Sequence, residues 1–423
     1  MRKKMRTILM ILFALAATPV LANDLDENAT KALAGKYKDS KHWAMKGIIL
    51  ISLGNHWHPA GNEMVLDALR SKDRRLRAFA METLLRTNPD VLKMVATSEL
   101  VKELIQKQLK VNNPHYRTQT LAVLKRVTSE VQSNKKSKWD SWWRKAKKTY
   151  APVQWVAPPE KEGSKAKGKG GTVVGDFVER AFDLNKYGLD VAIVIDSTGS
   201  MQATIDAARD GLGDLVAILK SIAPKFRIGL VHYKELGEMK DGAAILSPLS
   251  PQVKFVQDKL GKLQASGGGD FPERVEKGLL FALSGKMGWS ASTNKVILII
   301  GDAPPHPDAV EEAKKLAKDA REKPFGKRPS VATGKKSKRM IRPFITSTIG
   351  VGQAGVHNQT SAEFKAIAEA GGGAYGEMLT AGTGSSREIV SRILTLSFGQ
   401  KFKDQMKIFV DIYLEYRSKG FYR

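Results

Sequence analysis

The stretch 189–201, Leu-Asp-Val-Ala-Ile-Val-Ile-Asp-Ser-Thr-Gly-Ser-Met, constrains this chain more than any other. Val191, Ala192, Ile193, Val194 and Ile195 form an unbroken apolar run, which predicts a strand buried on both faces. The run stops at Asp196, Thr198 and Ser200, three oxygen-bearing side chains at alternate positions. Beyond them Met201, Ile205, Ala208, Leu212, Leu215, Val216, Leu219 and Ile222 recur at helical spacing. Strand, oxygen-rich turn and amphipathic helix place the turn at the carboxyl end of a central strand, where open α/β sheets bind their ligands. Asp, Ser and Thr are also ordinary N-cap residues, so the turn alone admits a metal-free reading.

The pattern continues. Strands are expected at 190–196, 226–233, 243–247, 295–301, 341–350 and 373–378, and helices at 200–222, 250–264, 272–284, 308–321, 361–370 and 386–397. Such alternation calls for an α/β doubly wound parallel sheet with helices on both faces. The last apolar segment, 406–416, fits a strand or a helix packed on this domain, with helix favoured.

Asp196-Ser197-Thr198-Gly199-Ser200 resembles the D-x-[S/T]-x-S signature of von Willebrand factor A domains, whose adhesion site holds Mg²⁺ and leaves a position for a partner's carboxylate. Two later stretches extend the resemblance. Ser266-Gly267-Gly268-Gly269-Asp270-Phe271-Pro272-Glu273 lies where the family supplies its second metal loop, and Asp270 stands near the usual threonine. The apolar run 296–300 ends in Gly301-Asp302, matching the family's final acidic residue. The resemblance implies a Rossmann-like fold over 172–400 and a metal site of Asp196, Thr198, Ser200, Asp270 and Asp302. By the family's geometry the hydroxyls bind directly, while Asp196 and Asp302 often act through waters. An all-oxygen set suits Mg²⁺, Mn²⁺ or Ca²⁺ over Zn²⁺. Asp270 in place of threonine adds a negative charge that favours metal and disfavours an incoming carboxylate.

The first 22 residues read as a secretory signal, with Arg2, Lys3, Lys4 and Arg6, an apolar run over 8–17 and Val20-Leu21-Ala22 before the cut. Export to the periplasm or cell surface follows, and no later stretch is long and apolar enough for a transmembrane helix. Cysteine is absent, which excludes disulfides, thiolate sites and a lipoprotein anchor. Residues 23–150 read as successive helices with one register repeated 40 positions on. Asp73, Leu76, Arg77, Ala80, Met81, Leu84 and Arg86 correspond to Asn113, Tyr116, Arg117, Thr120, Leu121, Leu124 and Arg126. That period resembles HEAT-like repeats; an ordinary helical bundle is the alternative. Trp139, Trp142 and Trp143 share one helix face and read as a plug on the last pair. A Gly- and Lys-rich linker over 151–171 separates this all-α domain from the α/β domain, so the two are expected to fold separately, with 401–423 as a tail packed on the second.

Several motifs are set aside. Gly350-Val351-Gly352-Gln353-Ala354-Gly355 imitates a dinucleotide fingerprint, but Thr360-Ser361-Ala362-Glu363 forms a capping box five residues on, so the phosphates would miss the helix start. Gly334-Lys335-Lys336-Ser337 lacks the first P-loop glycine. His56-Trp57-His58 has no evident third ligand and reads as a surface turn, while His306 falls near the rim of the Asp302 site. No nucleophile is paired with a base, so no enzyme is expected. The formal charge of +26, with eight Lys/Arg and no acid over 323–342, favours anionic partners such as envelope polymer or lipid headgroups; nucleic acid is not expected in an exported protein. The expected function is divalent-metal-dependent protein interaction or scaffolding in the bacterial envelope. The alternative is polyanion binding with a structural or degenerate metal site.

Overall fold

The computed structural model describes residues 24–128, 134–156, 173–269, 271–323, 341–352, 355–379 and 385–422. The signal 1–22, most of the linker, the basic segment 324–340, Asp270, Gln353 and Ala354 lie outside the described residues.

The first half is helical. After a two-residue strand β1 (Asp24–Leu25) come α1 (Glu27–Asp39) and α2 (Trp43–Ile51), then β2 (His56–Trp57), which pairs with β1. Six helices follow: α3 (Asn62–Arg70), α4 (Arg74–Arg86), α5 (Pro89–Val95), α6 (Ser98–Gln106), α7 (Pro114–Thr128) and α8 (Lys136–Ala146). The 40-residue register falls on α4 and α7, each of which opens on a side-chain cap. Asp73 caps α4 by accepting from Arg75 N–H, and Asn113 caps α7 by accepting from Tyr116 N–H. Arg126 of α7 donates to the Leu84, Leu85 and Thr87 carbonyls, satisfying the C-terminal end of α4. Trp139 and Trp143 are buried, as a plug requires. His56-Trp57-His58 is more than a surface turn: Trp57 is fully buried and its indole donates to Thr87 Oγ1.

The second half begins with α9 (Val173–Tyr187), which the sequence reading did not resolve. Next come β3 (Leu189–Asp196), α10 (Gln202–Ile222), β4 (Phe226–Tyr233), β5 (Ala243–Ser250), α11 (Val253–Lys262) and α12 (Val275–Leu283). The chain continues through β6 (Asn294–Gly301), α13 (Val310–Glu322), β7 (Phe344–Gly352), α14 (Asn358–Ala370), β8 (Gly372–Leu379) and α15 (Ser385–Phe398), and ends in α16 (Lys403–Ser418). The six strands β3–β8 form one sheet in the order β5-β4-β3-β6-β7-β8. All pairs are parallel except β4–β5, which is antiparallel. The reason is the short β4–β5 connection, which contains no crossover helix long enough to return the chain for a parallel pairing.

β3 and β6 hold the centre. Val191, Ile193 and Ile195 face one core with Val296, Leu298 and Ile300, while Ala192 and Val194 face the other with Ile297 and Ile299. Each such buried aliphatic contributes about 1.5–3 kcal/mol of burial free energy. α12, α13 and α14 cover the second core, and α9, α10, α11 and α15 cover the first.

The first core does not stop at the α/β domain. It runs on through α2, α4 and α16 into the helical half as one contiguous cluster. Trp43 stacks on Phe409 and Tyr413, Tyr116 stacks on Phe421 at 4.3 Å, and Tyr416 Oη donates to Glu82. Arg74 and Asn113 donate to the Phe421 and Lys419 carbonyls. The tail is a helix that packs on α15 and also on the helical half. Whatever the linker composition implies, the two halves share a core, and separate folding is no longer expected.

Candidate metal centre

Strand order reverses between the parallel neighbours β3 and β6: β3 leads outward to β4, and β6 leads the opposite way to β7. The connections leaving their carboxyl ends therefore part to opposite faces and open a crevice, the place where open α/β sheets bind ligands. Asp196 ends β3, and Asp302 follows β6, one residue beyond the paired Gly301. The crossing is close. A Cβ on Gly301 would stand 2.4 Å from Tyr233 Oη and 3.4 Å from Asp196 Cβ, so only glycine fits there.

Asp196 is fully buried. Its Oδ1 accepts from Thr198 N–H at 2.8 Å and Thr198 Oγ1 at 2.7 Å, while Oδ2 receives no hydrogen bond from any described residue. The Asp302 carboxylate is close enough to interact with it directly. Burial first, and then the charge of Asp302, raise the Asp196 carboxyl to about 7 against the pull of the Thr198 hydrogen bonds. Thr198 Oγ1 and Ser200 Oγ lie 3.5 Å apart, with Thr198 buried and Ser200 exposed at the mouth. The structure thus brings together Asp196, Thr198, Ser200 and Asp302 as far as the described residues allow; Asp270 lies outside them. Among the described residues no group of three or more acidic or histidine side chains gathers to hold a metal. The available donors are two carboxylates and two hydroxyls. An orphaned buried carboxylate oxygen beside a second carboxylate fits a hard dication, which supplies the missing electrostatic partner.

Sequence reasoning missed the floor and the walls of the crevice. Tyr233, at the end of β4, is fully buried, its hydroxyl has no partner among the described residues, and burial with the neighbouring carboxylates Asp196, Glu273, Asp302 and Glu276 holds its ionisation well above the usual range. Glu273 is buried, and its N–H donates to the Pro304 carbonyl, joining the second loop to the chain after Asp302. Ser197 Oγ pairs with His232 Nδ1 at 3.0 Å; burial, then the charge of Lys234, lowers His232 to about 4. The end of an apolar strand marks Tyr233 as nearby, but its role depends on Gly301 closing over it. His306 reaches the rim, bound through Nε2 to Glu235 Oε2 at 2.6 Å.

The glycine motif 350–355 is described only in part, since Gln353 and Ala354 lie outside the described residues, and the helix after it starts earlier than the sequence implies. α14 begins at Asn358 with His357 as its cap, so Thr360 lies inside the helix and no capping box forms. Thr360 Oγ1 instead donates to the Asp302 carbonyl at 3.1 Å, fixing the chain beside the crevice. Glu377 accepts from Tyr375 Oη.

A family model described as von Willebrand factor A domain matches residues 190–379. The chain is 27% identical over 124 residues, 29% of its length, to a protein of Acanthamoeba polyphaga mimivirus described as an ariadne-like RING finger protein, of which it spans only 12%. Among solved structures, BatB from Bacteroides thetaiotaomicron is similar at 18% identity and a TM-score of 0.35, with 50% of this chain and 99% of that one covered. The SpRpn10 VWA domain is similar at 13% identity and 0.35, covering 48% and 94%. The pilus adhesin SpaC from Lactobacillus rhamnosus GG is similar at 13% and 0.36, covering 52% and 30%. The fold assignment rests on the sheet topology and on the family match. Residues 190–379 are a von Willebrand factor A domain, a module that in general serves protein–protein interaction or scaffolding.

Proposed function

We propose that this chain is an exported protein whose von Willebrand factor A domain binds a protein partner through a divalent cation, Mg²⁺ or else Mn²⁺ or Ca²⁺, in the bacterial envelope or at the cell surface. The observation that carries this reading is Asp196, buried at the switch point with one oxygen unsatisfied and Asp302 beside it. Asp196, Thr198, Ser200 and Asp302 would hold the cation, with Asp270 as a further candidate. The cation would supply a Lewis-acidic position for a partner's carboxylate. The helical half, read as HEAT-like, serves as the scaffold on which the domain is mounted. Nothing in this arrangement asks for catalysis, and the protein is proposed not to be an enzyme.

A second reading rests on charge: +26 overall, with eight basic residues and no acid over 323–342. In it the chain binds anionic envelope polymer or lipid headgroups. Among the described residues no helix is long and apolar enough to cross a membrane. Pull-downs from envelope extract in Mg²⁺ and in EDTA, each at low and high salt, separate the two. Loss of the partner in EDTA and with Asp196→Ala supports the metal reading. Retention in EDTA with loss at high salt supports the polyanion reading.

A further inference from the structure

The crevice has a second wall, the glycine loop 266–269, and two side chains hold it from outside. On the inner side Ser266 N–H donates to the Ser197 carbonyl at 3.1 Å, and the Gly267 carbonyl accepts from Gly199 N–H at 3.0 Å. A Cβ on Gly268 would stand 3.3 Å from Thr198 Cβ. Gly267 and Gly268 have φ of 74° and 98°, a backbone that favours glycine and has little rigidity of its own. On the outer side Lys234 Nζ donates to the Ser266 carbonyl and hydroxyl. Glu238 Oε1 accepts from Gly268 N–H at 2.6 Å. Both side chains come from the connection between β4 and β5, an element with no part in the candidate ligand set. The Glu238 carboxylate lies directly against the loop: a Cβ on Gly267 would meet its Oε2 at 2.0 Å. Glu238 is exposed, yet its carboxylate accepts a hydrogen bond from a backbone amide of this loop.

We infer that Glu238 is a positioning residue for the metal centre, pinning Gly268 so that the glycine loop stays closed against Thr198. This rests on the metal reading given above. The pin is a hydrogen bond to an N–H, which a neutral acceptor can also make. Glutamine should therefore replace Glu238, and alanine should not. If Glu238 acted only by its negative charge, both substitutions would weaken metal binding alike.

The test is Mn²⁺ binding to the full chain, wild type, E238A and E238Q, by calorimetric titration at one ionic strength, with the metal-free melting temperature and amide hydrogen exchange over 266–269. The expected result is an affinity for Mn²⁺ about 10- to 100-fold weaker in E238A, the usual effect of removing a supporting group, and within about threefold of wild type in E238Q. Exchange at Gly268 should quicken in E238A alone, and the metal-free melting temperature should hold in both, since the side chain is exposed. Equal Mn²⁺ affinity in E238A and wild type overturns the proposal, as does equal loss in both variants or unchanged exchange at Gly268. A wild-type chain that binds no Mn²⁺ removes the metal centre itself, and the pin's purpose with it.

Discussion

Two aspartates at the two ends of β3, both fully buried, show what separates a structural charge from a functional one. Asp190, at the amino end, accepts from Arg227 Nε at 2.8 Å and Nη2 at 2.6 Å, from Thr293 Oγ1 at 2.6 Å and from Ser290 N–H at 3.3 Å. Both of its oxygens are satisfied by the protein. Asp196, at the carboxyl end, has one oxygen served by Thr198 and the other served by nothing described, with a second carboxylate next to it. A buried carboxylate without a partner costs free energy that folding alone gives no reason to bear. The strand is the same and the depth is the same. The difference lies in what each end leaves open for a ligand.

The contrast can be broken at either end. The largest effect is expected at the structural one. Asp190→Ala strips the Arg227 guanidinium of its partner and should cost about 3 kcal/mol of unfolding free energy, the lower end for a broken buried pair because Arg227 is 27% exposed. Denaturant unfolding in EDTA measures it. Asp196→Asn under the same conditions at pH 8 should be neutral or stabilising, because it removes a charge that has no counterion. An equal loss from both substitutions would erase the contrast.

The next effect comes from metal. If the dissociation constant is near 100 μM, ~10 mM Mg²⁺ should add about 2.7 kcal/mol to the wild type, seen as a rise in melting temperature, and nothing to Asp196→Ala. Asp190→Asn, if folded, should keep the rise.

The smallest net effect is in pH, because two groups shifted by burial oppose one another. Asp196 is raised to about 7 in the native state, so without metal the native form keeps a proton that the unfolded chain releases at ordinary carboxylate pH. Its contribution is fully present in acid and is lost as pH rises through about 7. His232, lowered to about 4, acts in the opposite sense: its contribution is present above the ordinary histidine range and is lost as pH falls through about 4. The net pH profile mixes the two. The difference between wild type and Asp196→Asn in EDTA isolates the first, and should shrink as pH falls from 7 to 4.

The strands and the ends of β3 and β6 were legible because a buried parallel strand writes itself as an unbroken apolar run, and an aspartate at its end is conspicuous. α9 was less so: Phe177, Val178, Ala181 and Leu184 have helical spacing, but they follow directly on Gly- and Lys-rich sequence that reads as linker. Strand direction at β5 was not written in its own residues, only in the shortness of the connection before it. The shared core was hidden because the Tyr416–Glu82 and Trp43–Phe409 contacts join residues more than 300 positions apart, beyond the reach of local periodicity. The site shows the same division. Asp196, Thr198, Ser200 and Asp302 stand in two short motifs, whereas Tyr233 and Glu238 join them only through the folding of β4 and its connection over the glycine loop.

The most direct test is the number of Mn²⁺ ions bound per chain, read from the loss of the free-ion electron paramagnetic resonance signal at pH 8. The account predicts one saturable ion in the wild type and in Asp190→Asn, displaced by excess Mg²⁺, and none in Asp196→Ala. Equal binding by wild type and Asp196→Ala, or no saturable ion in the wild type, would contradict it.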